Sequence, residues 1–141
     1  MPIAVAATES DRLRGNGILC AIATTTTAFL HPLVATAVRQ EIPASTRAVM
    51  HGRAARLLAA ADAPTAQVAA QLLAAAPTGD AWVVHQLRRA AHDALAAGVA
   101  DTATSYLRRA AEEPPEPALR GQVHHEWGMA AALLDVSLRG V

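Results

Sequence analysis

Six histidines are the side chains of this chain that could in principle hold a metal ion. His124 and His125 are adjacent, so on a helix their side chains point about 100° apart and do not converge on one ion. His85 and His92 are two helical turns apart, roughly 10 Å along the axis, which is too far for two ligands of one ion. The single cysteine, Cys20, has no second thiol to pair with. We therefore expect no metal site, no internal disulfide and no cofactor.

Candidate nucleophiles and acid–base groups are equally isolated. Ser45, Ser105 and Ser137 lie on or beside predicted helices, and none has the elbow sequence that exposes a catalytic serine. The acidic pair at residues 112–113 falls at a predicted helix end, where solvated carboxylates are the simpler interpretation. The sequence therefore indicates a protein without enzymatic activity.

The composition favours helices with small side chains. Alanine accounts for 36 of the 141 residues, apolar residues for 52% and aromatic residues for 3%. Alanine has the highest helix propensity but buries little area, so we expect a thin core. The net charge is zero, which gives no general attraction to nucleic acid or to a membrane surface. Because no apolar run approaches the ~20 residues of a membrane span and the N-terminus lacks a basic start, we expect a cytoplasmic protein.

The segment from Trp82 to Pro115 has the pattern of a helical hairpin repeat. Small residues stand where a tetratricopeptide-type unit places its helix contacts, its turn and its terminal proline: Ala91, Gly98, Ala103, Ala110 and Pro115. Two helices pack closely when small side chains meet at their crossing. Gly98 can adopt the left-handed conformation that ends the first helix. Units of this kind typically bind partners rather than catalyse reactions.

The remaining chain is also predicted to be helical, apart from one β-hairpin at residues 18–30. Proline and glycine breaks separate the predicted helices. One opens at His31-Pro32 and ends at Ile42-Pro43, and others span roughly 45–61, 64–76, 100–113 and 117–138. Asp80 is a good N-cap for the helix that contains Trp82 and ends at the turn with Gly98. His31 stands at the corner between hairpin and helix, where packing or a local hydrogen bond would explain it. The predicted fold is mostly all-α, with TPR-like antiparallel helical hairpins preceded by a short β-hairpin.

Apolar spacing predicts which side of each helix is buried. The predicted inward residues are Leu33, Val34, Ala37 and Val38; Val49 or Met50, Ala54, Leu57 and Leu58; Val68, Leu72 and Leu73; and Leu119, Val123, Trp127, Ala130 and Leu134. The last helix is similar to the first half of a further repeat, and a solenoid normally continues for three repeats or more. We therefore expect this helix to expose an apolar flank, either as a truncated array or as a partner site.

Residues 29–58 form the segment of the chain whose sequence is most specific to one protein family. The segment begins F-L-H-P-L and ends H-G-R-A-A-R-L-L. These residues resemble the segment downstream of the nucleotide-binding domain in LuxR-type ATP-binding transcriptional regulators, the MalT-like signal-transduction ATPases of actinobacteria. The likeness continues in V-A-A-Q-L-L at 68–73, G-D-A-W-V-V at 79–84 and the text at 103–113, and it covers roughly residues 17–135. It implies a winged-helix remnant at 17–61 and a TPR-like region at 62–141. Residues 1–16 are weakly patterned and expected to be poorly ordered, with residues 9–14 as the frayed end of a helix.

The chain also departs from that family in what it lacks. It contains no lysine, so it has no G-x-x-x-x-G-K-[S/T] phosphate loop, and it has no DNA-reading helix-turn-helix. The resemblance then implies a fragment that transmits a ligand or partner signal and contacts DNA only indirectly. Its partner would be another protein or the missing parts of the parent regulator, or a second copy through the last helix, with no membrane involved.

Two functions remain open from the sequence. The first is a non-catalytic interaction or sensor module, and the residues that we expect on its binding face are Trp82, His85, Leu87, Tyr106 and Trp127. The alternative is a small stand-alone DNA-binding protein of winged-helix type, since Arg47, Arg53 and Arg56 share one predicted helix. Three arginines without a net positive charge are, however, also typical of an ordinary solvated helix face.

Overall fold

The computed structural model describes residues 3–23, 26–113 and 116–139, which form two compact units, 1–43 and 44–141. These residues are mostly helical with one small antiparallel sheet, as predicted. The elements in chain order are α1 (Ile3–Gly15), β1 (Leu19–Ala23), β2 (Thr26–Phe29), α2 (Pro32–Glu41), α3 (Ala44–Ala60), α4 (Thr65–Ala74), α5 (Ala81–Ala96), α6 (Ala100–Glu112) and α7 (Pro117–Arg139). The terminal proline predicted for the hairpin repeat, Pro115, lies outside the described residues.

The first unit joins a helix, a β-hairpin and a second helix. A helix, α1, occupies most of the stretch for which we expected poor order. It ends at Gly15, and the turn that follows contains Gly17 with φ of 69°. The hairpin predicted at 18–30 is present, with Leu19 opposite Phe29. His31 has the local role expected of it, because its Nδ1 accepts a hydrogen bond from the backbone N–H of Leu33 at 3.2 Å and so caps α2.

The apolar face predicted for α2 is not buried. Leu33, Val34 and Val38 are all exposed, and α2 contains no buried residue. Helical spacing correctly placed these side chains on one side of the helix. In the structure, however, no described element covers that side.

The second unit is a series of helices in which each packs on the next, from α3 to α7. Short connections make neighbouring helices antiparallel. The turn after α5 is a Schellman motif, in which the N–H of Val99 donates to Ala94 O at 2.8 Å and the N–H of Gly98 donates to Leu95 O at 3.0 Å. Gly98 has φ of 76°, as predicted. The same motif ends α3, with Asp62 in the left-handed position at φ of 51°.

Small residues form much of the core, as the repeat pattern predicted. Ala91, Ala103 and Ala110 are buried where α5, α6 and α7 pack together. The larger core side chains are Val68, Leu72, Val83, Val84, Leu87, Tyr106, Leu107 and Val123. Leu73, predicted to face inward with Val68 and Leu72, is instead exposed. Alanine at the crossings lets the helices approach closely, so the core is thin but continuous.

The prediction for the inward face of α3 was only partly right: Ala54 and Leu58 are half-buried, and Leu58 packs against the core. Val49, Met50 and Leu57 are exposed, whereas Ala55 is fully buried. On this face Gly52 lies opposite Ala75, and a Cβ at Gly52 would be 3.9 Å from that of Ala75. Small side chains of α3 therefore face α4, while three of its bulky ones, Val49, Met50 and Leu57, face solvent. Because α3 packs along α4, it belongs to the second unit, so the boundary between units lies at Pro43 rather than near residue 61.

Candidate functional site

The five residues expected on one binding face occupy different environments. Leu87 and Tyr106 lie in the core, so packing leaves them almost no surface to offer a partner. His85 is exposed, while Trp82 and Trp127 are half-buried. The structure therefore does not bring the five together as a single surface, and we describe the surroundings of each accessible residue in turn.

Trp82 is held at the start of α5 by its neighbours. Asp80 caps this helix, as predicted, by accepting a hydrogen bond from the Trp82 backbone N–H at 2.8 Å. The second carboxylate oxygen of Asp80 pairs with Arg56. The Arg56 guanidinium lies 4.5 Å from the centre of the indole ring, which is a cation–π contact. Trp82 is thus fixed in place, with part of its ring accessible.

His85 lines a cleft of about 380 Å³ together with Arg88, Arg89, His92 and, from α7, Glu126. The four basic side chains recur at positions i, i+3, i+4 and i+7, so they share one face of α5. This face can donate hydrogen bonds to acidic groups. Among the residues that the structure describes, no group of His, Cys, Asp or Glu has an arrangement that could hold a metal ion.

Arg88 and Glu126 join α5 to α7 across that cleft. Arg88 Nε lies 2.9 Å and Nη2 lies 2.5 Å from the two carboxylate oxygens, so the contact is bidentate. Hydrogen bonding from Arg88 lowers the pKa of Glu126 below its ordinary value, although partial burial acts in the opposite direction. The same hydrogen bond raises the pKa of Arg88. The pair therefore fixes the position of α7 against α5.

Trp127 lies on α7 and contacts His124, with 6.1 Å between the two ring centres. The inward side predicted for α7 is confirmed, because Val123 and Ala130 are fully buried and the other predicted residues are half-buried. A second apolar stripe on α7 was expected as its exposed flank. Met129, Leu133 and Val136 form this stripe, and each is at least half exposed.

Arg109 and Glu113 form a buried ion pair that the sequence did not predict. Glu113 was expected at a solvated helix end. The Glu113 side chain is 0% exposed and that of Arg109 is 6% exposed, with Arg109 Nη2 at 3.0 Å from Glu113 Oε1. Both residues flank the apolar stripe of α6, since Arg109 follows Tyr106 by three residues and Glu113 follows Ala110 by three. This i+3 spacing from buried residues is the sequence feature from which the burial of the pair could have been predicted.

Glu113 also holds the loop between α4 and α5. Its Oε2 accepts backbone N–H groups from Thr78, Gly79 and Asp80 at 2.9, 2.6 and 3.3 Å. The loop that carries the Asp80 cap is therefore anchored to the end of α6.

Comparison of the chain with protein-family models, with curated proteins and with solved structures found no match. Within the described residues, no helix is both long enough and apolar enough to cross a membrane.

Proposed function

We propose that this chain is a non-catalytic helical interaction or sensor module that docks a helix of another polypeptide on α7. The observation that carries this proposal is the exposed stripe of Met129, Leu133 and Val136. Their exposed fractions are 56%, 50% and 68%, while Val123 and Ala130 on the inward side of the same helix are 0% exposed. One helix therefore has two apolar faces, and the described residues cover one of them.

The spacing of the stripe determines the kind of partner that fits. Met129, Leu133 and Val136 are separated by four and then three residues, which is the spacing of a coiled-coil seam. Such a seam accepts side chains of a second amphipathic helix between its own. The occupant that we propose is accordingly an amphipathic helix with the same four–three apolar spacing.

We further propose that the chain is a fragment of a LuxR-type ATP-binding transcriptional regulator and acts in the cytoplasm. The ordered sequence motifs over residues 17–135 and the small-residue helical hairpins support this proposal. In such a regulator the docked helix belongs to another part of the same protein or to its signalling partner. The module passes on a binding signal, and ATP hydrolysis and DNA reading belong to other domains.

Docking can be tested with a labelled synthetic peptide of residues 117–139, because a second copy of α7 presents the required stripe. We expect its fluorescence anisotropy to rise on titration with the full chain, and to rise much less with the Leu133→Glu variant. Leu57→Glu places the same charge at an exposed leucine on α3 and should bind the peptide as the unsubstituted chain does. Absence of peptide binding, or equal losses in both variants, would contradict docking on this face.

A further inference from the structure

A cavity of about 210 Å³ lies in the second unit, apart from the docking stripe of α7. Its walls come from α3, from the loop after α4 and from the start of α5, and Arg109 of α6 also lines it. Most of the wall is apolar, with the Trp82 indole, Leu72 and Val83 among its larger members. Its remaining lining is small, which leaves room for a ligand: Ala48, Gly52, Ala75 and Ala76.

Arg109 is a buried side chain of this cavity whose hydrogen bonding is incomplete. Its Nη2 donates to Ala75 O at 3.1 Å and to Glu113. Its Nε and Nη1 are buried and have no hydrogen-bond partner among the described residues. Glu112 Oε2 lies 4.0 Å from Nε, beyond hydrogen-bond distance. Burying guanidinium N–H groups without hydrogen-bond acceptors is energetically unfavourable. This pattern therefore indicates that a ligand supplies the missing hydrogen-bond acceptor.

Two further arginines line the same cavity, and they differ in what they already contact. Arg56 is engaged by Asp80 and by the face of Trp82. Arg53 is exposed and has no hydrogen bond or ion pair with any described residue. Three guanidinium groups thus line the cavity. Asp80 pairs with Arg56, while Glu113 and, at 4.0 Å, Glu112 accompany Arg109, so among the described residues Arg53 is the cavity arginine that no carboxylate pairs with. Its positive charge favours an anion.

We infer that this cavity binds a small organic carboxylate with a flat apolar body. The exposed guanidinium of Arg53 presents a planar set of donors, which matches the two oxygens of a carboxylate, and Arg109, with two unpartnered nitrogens, lines the same cavity. The indole ring and the aliphatic wall offer an apolar surface for the body of the ligand. This inference does not rest on helix docking, since the cavity and the α7 stripe share no residue.

Benzoate is a suitable probe, and Trp82 can report its binding. The chain has two tryptophans, so Trp127→Phe leaves Trp82 as the single indole fluorophore. In that background we expect benzoate to change the Trp82 fluorescence with a Kd on the order of 1 mM. Benzamide, which has the same shape without the charge, should bind at least about tenfold more weakly because it gives the arginines no anion.

Variants with matched controls separate this site from non-specific binding. Arg53→Gln should weaken benzoate binding by about fivefold or more, whereas Arg108→Gln, at an exposed arginine outside the cavity, should not change it. Ala76→Phe should fill the cavity and abolish binding, and Ala74→Phe on the exposed end of α4 should not. The inference is overturned if benzoate has no effect on Trp82, if benzamide binds equally well, or if Arg53→Gln and Ala76→Phe leave the Kd unchanged.

Discussion

The buried pair of Arg109 and Glu113 is the strongest polar feature of the molecule at the scale of single residues. Each member loses its water, and each regains polar partners from the other and from the backbone of the loop at 75–80. Removing one partner of such a pair leaves the other charge buried and uncompensated. The stability of the second unit should therefore depend on Glu113 much more than on its exposed neighbour.

Glu113→Ala tests this dependence. We expect the substitution to lower the free energy of unfolding by about 3–5 kcal/mol, because it removes a buried ion-pair partner. Glu112→Ala, the adjacent and exposed carboxylate, should change it by less than about 0.5 kcal/mol. Urea denaturation of the two variants makes the comparison. Equal effects of the two substitutions would show that the Glu113 contacts contribute little to stability.

The Arg88–Glu126 pair predicts a pH dependence. The pKa of Glu126 is lower in the folded state than in the unfolded state. The contribution of the pair to the free energy of unfolding is therefore complete above the unfolded-state pKa of about 4.3, and it is lost as the pH falls through the folded-state pKa. Both side chains reach solvent, so the contribution should stay below about 1 kcal/mol.

The measurement is the difference in free energy of unfolding between the unsubstituted chain and Glu126→Gln, followed from pH 7 to pH 3. We expect this difference to favour the unsubstituted chain at neutral pH and to shrink below about pH 4.3. Glu116→Gln, at an exposed carboxylate that forms no ion pair with the described residues, is the control and should show no such trend. A difference that grows on acidification would contradict the assignment.

At the scale of elements, turn chemistry and proline breaks predicted the ends of most helices, although they did not predict α1 as a complete helix. The predicted start of a helix at Pro32, its end before Pro43 and the N-cap at Asp80 match the structure. His31 makes a local hydrogen bond, which was one of the two roles expected of it. These signals are local, because a left-handed glycine or a capping side chain acts within one turn of the backbone. The β-hairpin was predicted on the same basis, from a turn and β-branched residues.

The face that each helix buries was harder to predict, because burial depends on the neighbouring helix. On α3 the bulky Met50 and Leu57 suggested the core side, yet Ala55 is the residue that faces it. Close packing against α4 selects small side chains, and apolarity alone does not distinguish them from exposed leucines. The same limit applies to Arg109 and Glu113, whose burial depends on a loop more than thirty residues earlier in the sequence.

Gly98 allows a test of the turn between α5 and α6. Its φ of 76° disfavours a side chain, and no other atom lies within 4 Å of a Cβ built there. Gly98→Ala should therefore destabilise the fold by roughly 1 kcal/mol through backbone strain alone. Gly128→Ala, within α7 and equally uncrowded, should instead stabilise it by about 0.8–1 kcal/mol. Thermal unfolding of the two variants compares them, and a shift of the same sign in both would rule out the left-handed turn.

At the scale of the whole molecule, the proposed helix docking can be distinguished from the alternative function, which is DNA binding by the arginines of α3. Arg56 is engaged by Asp80 and Trp82, so α3 does not present three unengaged arginines to a phosphate backbone. We expect no salt-dependent mobility shift with duplex DNA, and no difference on substituting Arg47, Arg53 and Arg56 together with glutamine. A shift that weakens steeply with salt and is lost in the triple variant would support the DNA-binding alternative.

The central claim is that α7 presents a docking face for a helix, and self-association of the intact chain tests it most directly. Sedimentation equilibrium should show reversible, concentration-dependent dimers, because a second copy of α7 offers the matching stripe. Leu133→Glu should remain monomeric at the same concentrations, while Leu57→Glu should associate like the unsubstituted chain. A folded chain that stays monomeric up to millimolar concentration, or dimers that persist unchanged in Leu133→Glu, would contradict the claim.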